Sequence, residues 1–415
     1  MKTITHTMLL SCLFILAACN SDQTQSPSDD RLSALLDQPW NKITEEAESS
    51  TVNFYMWGGD EGINTYIDEW VTPKLKQQYN ITLKRIPLDT PEILQKLNNE
   101  KRADQEEGSV DIVWINGENF KKAKENGLLA GSFTEKLPNF NPYYDTDSDA
   151  LQTDFGTSVE GMEAPWGKVQ FVFHYNQTKV DSPPESFKEL KAWIHEHPGR
   201  FTYPNPQSFT GNAFVRHLLY KHASEPADIY NQPLDKEQIA PAAEGTWNYL
   251  SDIKPDLWRE GNHYPNSLTE LDRLYSEGEV WITMGYNEAR AESLIEDGVF
   301  PDSTRSFVMK PGSIGNTHFL SIPYNSTNMA GAMTAINFML SPEAQLEKLQ
   351  PSPWGENTPI QLDQLDPEQR EAFKNVKRGE SVLPQEKLET SFLPESDAAY
   401  VDWIKEQWFN EIAQN

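Results

Sequence analysis

Between Thr51 and Asn126 the apolar residues switch repeatedly between two spacings, and this alternation constrains the fold more than any other stretch. Thr51–Trp57, TVNFYMW, places Val52, Phe54 and Met56 at every second residue, the period of a strand. A helix is predicted from about Ile63, with Tyr66, Ile67, Trp70 and Val71 on the same face and Pro73 kinking or interrupting it. Ile81–Ile86 predicts a second strand and Pro91–Gln105 a helix with Ile93, Leu94 and Leu97 inward. Val110–Ile115, VDIVWI, predicts a third strand, apolar enough to be covered on both faces. A helix through about Asn126 follows, with Gly127 just past its end. Strands and helices alternating at these lengths form parallel, right-handed crossovers, so the expected class is α/β with a doubly wound sheet.

A chain of 415 residues exceeds one ordinary α/β core, so two domains are expected. After the irregular stretch Phe133–Asp154 comes Ala164–Asn176, APWGKVQFVFHYN. Pro165-Trp166-Gly167 reads as a turn that holds an indole at the mouth of a cleft. Val169, Phe171, Phe173 and Tyr175 then alternate as a strand that carries the chain from one α/β lobe into another. Helices are predicted at Ser186–His195, from the polar loop Asn205–Asn212 onward, near Ala240–Ser251 and at Ser267–Glu277. Phe201–Tyr203, Val280–Met284 and Phe307–Met309 read as strands. Thr317–Ile322 reads as the return strand. Ser326–Leu340 is the next helix, and Ser341-Pro342 starts another with Ser as N-cap and Pro in the first position. The last helix, Asp397–Ala413, carries Tyr400, Trp403, Ile404 and Trp408 at amphipathic spacing.

The net charge of −28, from 63 acidic against 35 basic residues, argues against a nucleic-acid partner and reads as a solvated, repulsive surface. Met8–Ala18 is apolar but too short to span a bilayer, and it ends in Leu16-Ala17-Ala18-Cys19. This resembles a bacterial lipoprotein signal, in which the Cys is acylated and becomes the first mature residue. On that reading 1–18 is a signal peptide, Cys19 is the lipid anchor to a membrane surface, and the body lies outside the cytoplasm. Residues 19–50 read as a flexible tether, with Leu32, Leu35, Leu36 and Trp40 forming a short helix that docks on the body or on nothing. Cys12 lies in the removed segment, which excludes a disulfide framework, a redox pair and a Cys-based metal site.

Ile322–Gln345, IPYNSTNMAGAMTAINFMLSPEAQ, resembles the extracellular solute-binding proteins of bacterial ABC importers, and so does the Pro-aromatic-Gly turn with its long strand ending in Tyr175-Asn176. The likeness spans most of Thr51–Leu349 and is similar to the branch with thiamine-, polyamine- and iron-binding members. It implies a type II periplasmic-binding-protein fold of two doubly wound lobes joined by crossing strands. Lobe 1 would comprise 51–165 and 323–415 with the C-terminal helices, lobe 2 would comprise 176–315, and 166–175 and 316–322 would be hinge strands. It further implies a monomer that closes around a small-molecule ligand and delivers it to an ABC permease with its ATPase.

Ligands in such sheets bind beyond the carboxyl ends of strands. That rule selects Trp57, Gly58, Gly59 and Asp60, then Asn116, Gly117 and Glu118, from the first lobe. It selects Ser208, Thr210, Gly211 and Asn212, then Tyr286, Asn287 and Glu288, from the second, and the crossing turn adds Trp166. Each has a plainer reading. Gly58-Gly59 either admits ligand or only turns the chain, and Asp60 is a counter-ion or a helix N-cap. Glu118 contacts ligand or is solvated on the rim. Trp57 and Trp166 line the cleft or belong to the core, and Thr210-Gly211-Asn212 presents N–H groups or merely caps. Aromatic faces with acidic oxygens suit a small cationic organic molecule, thiamine-like or polyamine-like, bound at about micromolar affinity or tighter. A sugar is the rival ligand. Ferric iron is disfavoured, because Tyr143-Tyr144 lie in a loop without an evident His or Glu partner. No metal, cofactor or catalytic residue is expected. The chain has no GxSxG, no HExxH and no nucleophilic Cys, and its histidines show no metal spacing. Only a carboxylate pair for glycan hydrolysis, whose separation is spatial, keeps an enzyme among the alternatives, beside a scaffold with no small ligand.

Overall fold

In the computed structural model, which describes residues 27–230 and 232–414, the period-two segments form the first sheet. Strand β1 (Thr51–Met56) buries Val52, Phe54 and Met56 and lies parallel to β2 (Thr82–Pro87) and β3 (Ile112–Ile115), in register Thr51↔Thr82 and Phe54↔Ile112. β3 is buried on both faces: Ile112 and Trp114 enter one core, Val113 and Ile115 the other. Pro73 does not end the crossover helix. The stretch Tyr66–Val71 widens into a π-turn just before it, which displaces the carbonyl ladder that a proline ring would meet.

The expected turn at Pro165-Trp166-Gly167 is a strand instead. β4 (Glu163–Gln170) runs through it, the chain breaks step at Phe171, and β5 (Val172–Asn176) continues into the second lobe. β5 is the centre of a three-stranded sheet, antiparallel to β6 (Ile282–Gly285) and β7 (Thr304–Phe307). The return strand β8 (Ser313–Ser321) pairs antiparallel with β4, placing His318 opposite Gly167, and with β3, placing Phe319 opposite Ile115. Phe201–Tyr203 is buried but joins no ladder; the Phe201 carbonyl accepts from Trp258 N at 2.8 Å.

Two boundaries need correction. The segment expected to be a tether is helical from Pro27: α1 (Pro27–Leu36) and α2 (Trp40–Ala47) bury Leu32, Leu35, Ile43 and Ala47 in the first core. α2 lies against α7 (Met329–Met339), a helix buried on every side. Sparse apolar residues at helical spacing outweighed the polar composition around them. The proposed signal peptide and Cys19 lie outside the described residues.

The second correction is at the C-terminus. Ile360, Leu365 and Phe373 still pack in the first core, but the chain then crosses over. Arg378 bonds both Gly355 O and Glu288 at 3.0 Å, β9 (Phe392–Leu393) joins β8, and the final helix α9 (Ala399–Trp408) packs on the second lobe. Tyr400, Trp403, Ile404, Trp408 and Ile412 lie in that lobe's core, and Trp408 Nε1 donates to Tyr203 Oη at 3.0 Å. Each large apolar side chain so buried contributes about 2 kcal/mol, so the helix stays with the surface its tryptophans cover. A third crossing, beyond the two hinge strands placed from sequence, thus joins the lobes.

Candidate ligand-binding cleft

The strand ends of both lobes face one cavity of about 430 Å³, the size of a small-molecule site. From lobe 1 come Trp57 and Asp60 after β1, Trp114 at the end of β3, and Asn116 and Glu118 at the start of helix Glu118–Glu125. From lobe 2 come Ser208, Phe209, Thr210 and Asn212 at the start of helix Phe209–His222, then Tyr286, Asn287 and Arg290 after β6. His318 of the return strand, Trp354 and Glu356 close the floor, and Lys405 of α9 closes one side.

Several of these residues have a double role. Asp60 N-caps its helix through Ile63 N at 3.1 Å, and its other oxygen meets the Arg290 guanidinium from the opposite lobe. Arg290 also holds Asp272; burial draws its pKa down to about 10, so it stays charged at neutral pH. Ser208 N-caps its helix, accepting from Gly211 N at 3.2 Å. Tyr286 donates to Glu395 at 2.6 Å. Thr269 donates across the cleft to the Gly59 carbonyl at 3.2 Å, a further contact between the lobes.

Six of the residues selected from sequence do not line the cavity: Gly58, Gly59, Gly117, Gly211, Trp166 and Glu288. Gly117 adopts φ +62 at the mouth of its helix, a conformation that favours glycine, and it packs on the Phe155 ring. Trp166 is the larger correction. Within a strand its side chain points into lobe 1, wholly buried between Trp114 at 5.3 Å and Trp354 at 5.2 Å. The tryptophans that reach the cavity are Trp57, Trp114 and Trp354. Glu288 is also buried away from the cavity, held by Gln170 N at 3.2 Å and by Arg378. Tyr144 is buried with its hydroxyl on Leu340 O at 2.8 Å, and neither it nor Tyr143 lines the cavity.

Beneath the floor lies a charge cluster that strand-end reasoning did not select. Lys348 and Glu356 are buried and 3.2 Å apart, and Glu356 also meets His318 Nδ1 at 3.0 Å. Lys348 donates to Asn357 O at 3.2 Å and to the Trp166 carbonyl. Burial pulls the Lys348 ammonium down, and Glu356 beside it opposes that. A Cβ on Gly167 would fall 1.6 Å from Glu356 Oε1, so the glycine of the Pro-Trp-Gly motif leaves room for this carboxylate.

The cavity is acidic and unevenly satisfied. Its wall carries Asp60, Asp89, Glu118 and Glu356 against Arg290 and Lys405. Glu118 receives Lys405 on Oε1 at 3.1 Å, while its buried Oε2 has no partner among the described residues. Asn212 donates to Val401 O at 3.1 Å and to Pro206 O at 3.3 Å, which fixes its amide, and leaves its Oδ1 buried without a donor.

Residues 70–369 match the family described as bacterial extracellular solute-binding protein. The chain belongs to this family. This solute-binding protein is 36% identical over 373 residues to protein YnjB of Escherichia coli, a match covering 89% of this chain and 93% of the relative. It superimposes with TM-score 0.62 at 14% identity on the periplasmic binding protein AfuA of Actinobacillus pleuropneumoniae, solved with exogenous fructose-6-phosphate, across 88% of this chain and 99% of that one. With the spermidine/putrescine substrate-binding protein PotD of Streptococcus pneumoniae, solved with calcium and HEPES, the TM-score is 0.61 at 17% identity, across 86% and 99%. The fold is therefore the two-lobed, type II solute-binding fold of ABC transporters. Membership in an extracellular family sets its work outside the cytoplasm, and among the described residues no helix is long and apolar enough to cross a membrane.

Proposed function

We propose that this solute-binding protein captures a small organic cation between its lobes, hands it to an ABC permease, and is held at a membrane through acylated Cys19. The observation that carries this reading is the pair of buried acceptors without donors, Glu118 Oε2 and Asn212 Oδ1, one on each lobe. Leaving such an atom unpaired costs about 1–3 kcal/mol, and a ligand bearing N–H groups relieves both at once. A ligand that bonds to both lobes favours the closed form, whereas one that touches a single lobe does not. The faces of Trp57, Trp114 and Trp354 add about 0.5–2 kcal/mol per ring for a cation set against them. Both cations on the wall, Arg290 and Lys405, already hold carboxylates, so an anionic solute finds no free positive charge there. Spermidine, putrescine and thiamine are expected to raise the melting temperature of the purified protein, and fructose-6-phosphate to leave it unchanged. The opposite pattern would overturn the reading.

A further inference from the structure

We infer that His318 is a specificity residue of this site: its Nε2, held as a bare lone pair by Glu356, accepts one N–H or O–H of the bound solute. The inference rests on the cavity being the ligand site. Nδ1 lies 3.0 Å from Glu356 Oε2, and an ionised carboxylate only accepts, so the ring proton sits on Nδ1. The other Glu356 oxygen lies 3.2 Å from Lys348, so the carboxylate is held from two sides. Three features fix the arrangement. Gly167, opposite His318 in the ladder, gives the carboxylate its space. Lys348 is tied to the Trp166 and Asn357 carbonyls. The ring stands edge-on to Trp114 at 4.8 Å. Nε2 makes no hydrogen bond within the described protein, and His318 lines the cavity.

The site therefore offers three acceptors without donors, each from a different part of the fold: Glu118 Oε2 on lobe 1, Asn212 Oδ1 on lobe 2 and His318 Nε2 on the crossing strand. A solute that satisfies all three carries donors on at least three sides, as an amidine, a guanidine, an aminated heterocycle or a polyamine does. A carboxylate or fully ionised phosphate has none to give.

The experiment is nitrogen-15 histidine NMR on the full chain, with the His318 signals assigned by their loss in His318→Gln. At neutral pH the expected state is a pyrrole-type Nδ1 and a pyridine-type Nε2; a proton on Nε2 would overturn the inference. Spermidine and thiamine are then added. With whichever raises the melting temperature, the Nε2 resonance is expected to move. His318→Gln, which keeps an acceptor, should bind that probe within a few-fold of wild type, and His318→Phe about tenfold or more weakly. A probe that binds while Nε2 stays still, or His318→Phe binding at full strength, would sink this inference and leave cation capture standing. If neither probe binds, cation capture falls, and the tautomer measurement still decides the state of His318.

Discussion

Two histidines, one on helix Phe209–His222 and one on the return strand, sit in opposite circumstances. His217, behind the hinge, uses both ring nitrogens inside the protein: Nδ1 on Ala213 O at 2.7 Å, and Nε2 receiving Ile314 N of the return strand at 2.9 Å. Its neighbour Arg216 is wholly buried against Glu395, whose other oxygen takes Tyr286 at 2.6 Å and Asn316 at 2.9 Å. His318, at the cleft floor, uses one nitrogen and leaves the other on the cavity wall. Both clusters pair a helix cation with a carboxylate from the last sixty residues. The rear cluster binds both oxygens of Glu395 and joins the C-terminal crossing to lobe 2, although Arg216 Nε and Asn316 Oδ1 find no partner among the described residues. The floor cluster ends in an open acceptor. Both Glu395 oxygens are bonded within the frame, whereas His318 keeps one ring nitrogen on the cavity wall.

The largest expected effect tests the rear cluster. Arg216→Ala strands Glu395 in the interior and should cost about 3–5 kcal/mol of stability, read by urea unfolding. A loss below that for Gly167→Ala would invert the comparison. Acid comes next. Burial holds His217 and the hinge-strand His174 near a pKa of about 3. Below about pH 6.5 the unfolded chain takes up protons that the folded one refuses, so stability present above that pH is lost as pH falls. From pH 7 to 5 the loss should be about 2 kcal/mol per ring, and His217→Gln should remove its share.

Gly167→Ala tests the floor. Its methyl drives against Glu356, and a cost of about 1–3 kcal/mol is expected, together with weaker binding of a cationic probe because the carboxylate no longer orients His318. Lys405→Met comes last. It strands the buried Glu118 oxygen that Lys405 holds, so a loss of about 1–3 kcal/mol is expected while affinity for a cation rises a few-fold, measured by titration calorimetry.

Much of lobe 1 was legible because β1 to β3 and their helices keep clean periods, and the Ser341-Pro342 helix start appears as read, with Ser341 accepting from Ala344 N at 3.2 Å. Trp57, Asp60, Asn116, Glu118, Ser208, Thr210, Asn212, Tyr286 and Asn287, selected as strand-end residues, line the cavity because the strand ends face it. His318, Trp354 and Glu356 were not. His318 lies mid-strand, and the other two lie in a proline-broken stretch with no period of its own. Trp166 was misplaced because Pro-Trp-Gly was read by its turn-forming residues. In the structure the glycine makes space for a side chain 189 positions later in the chain, a relation no local pattern encodes.

Helices α1 and α2 ride on one lobe, while α9 is sunk into the other. The first and last described segments are thereby fastened to opposite sides of the hinge. Fluorophores attached near Pro27 and Gln414 would report opening and shutting of the cleft as a change in energy transfer, so these two positions already suit a solute sensor.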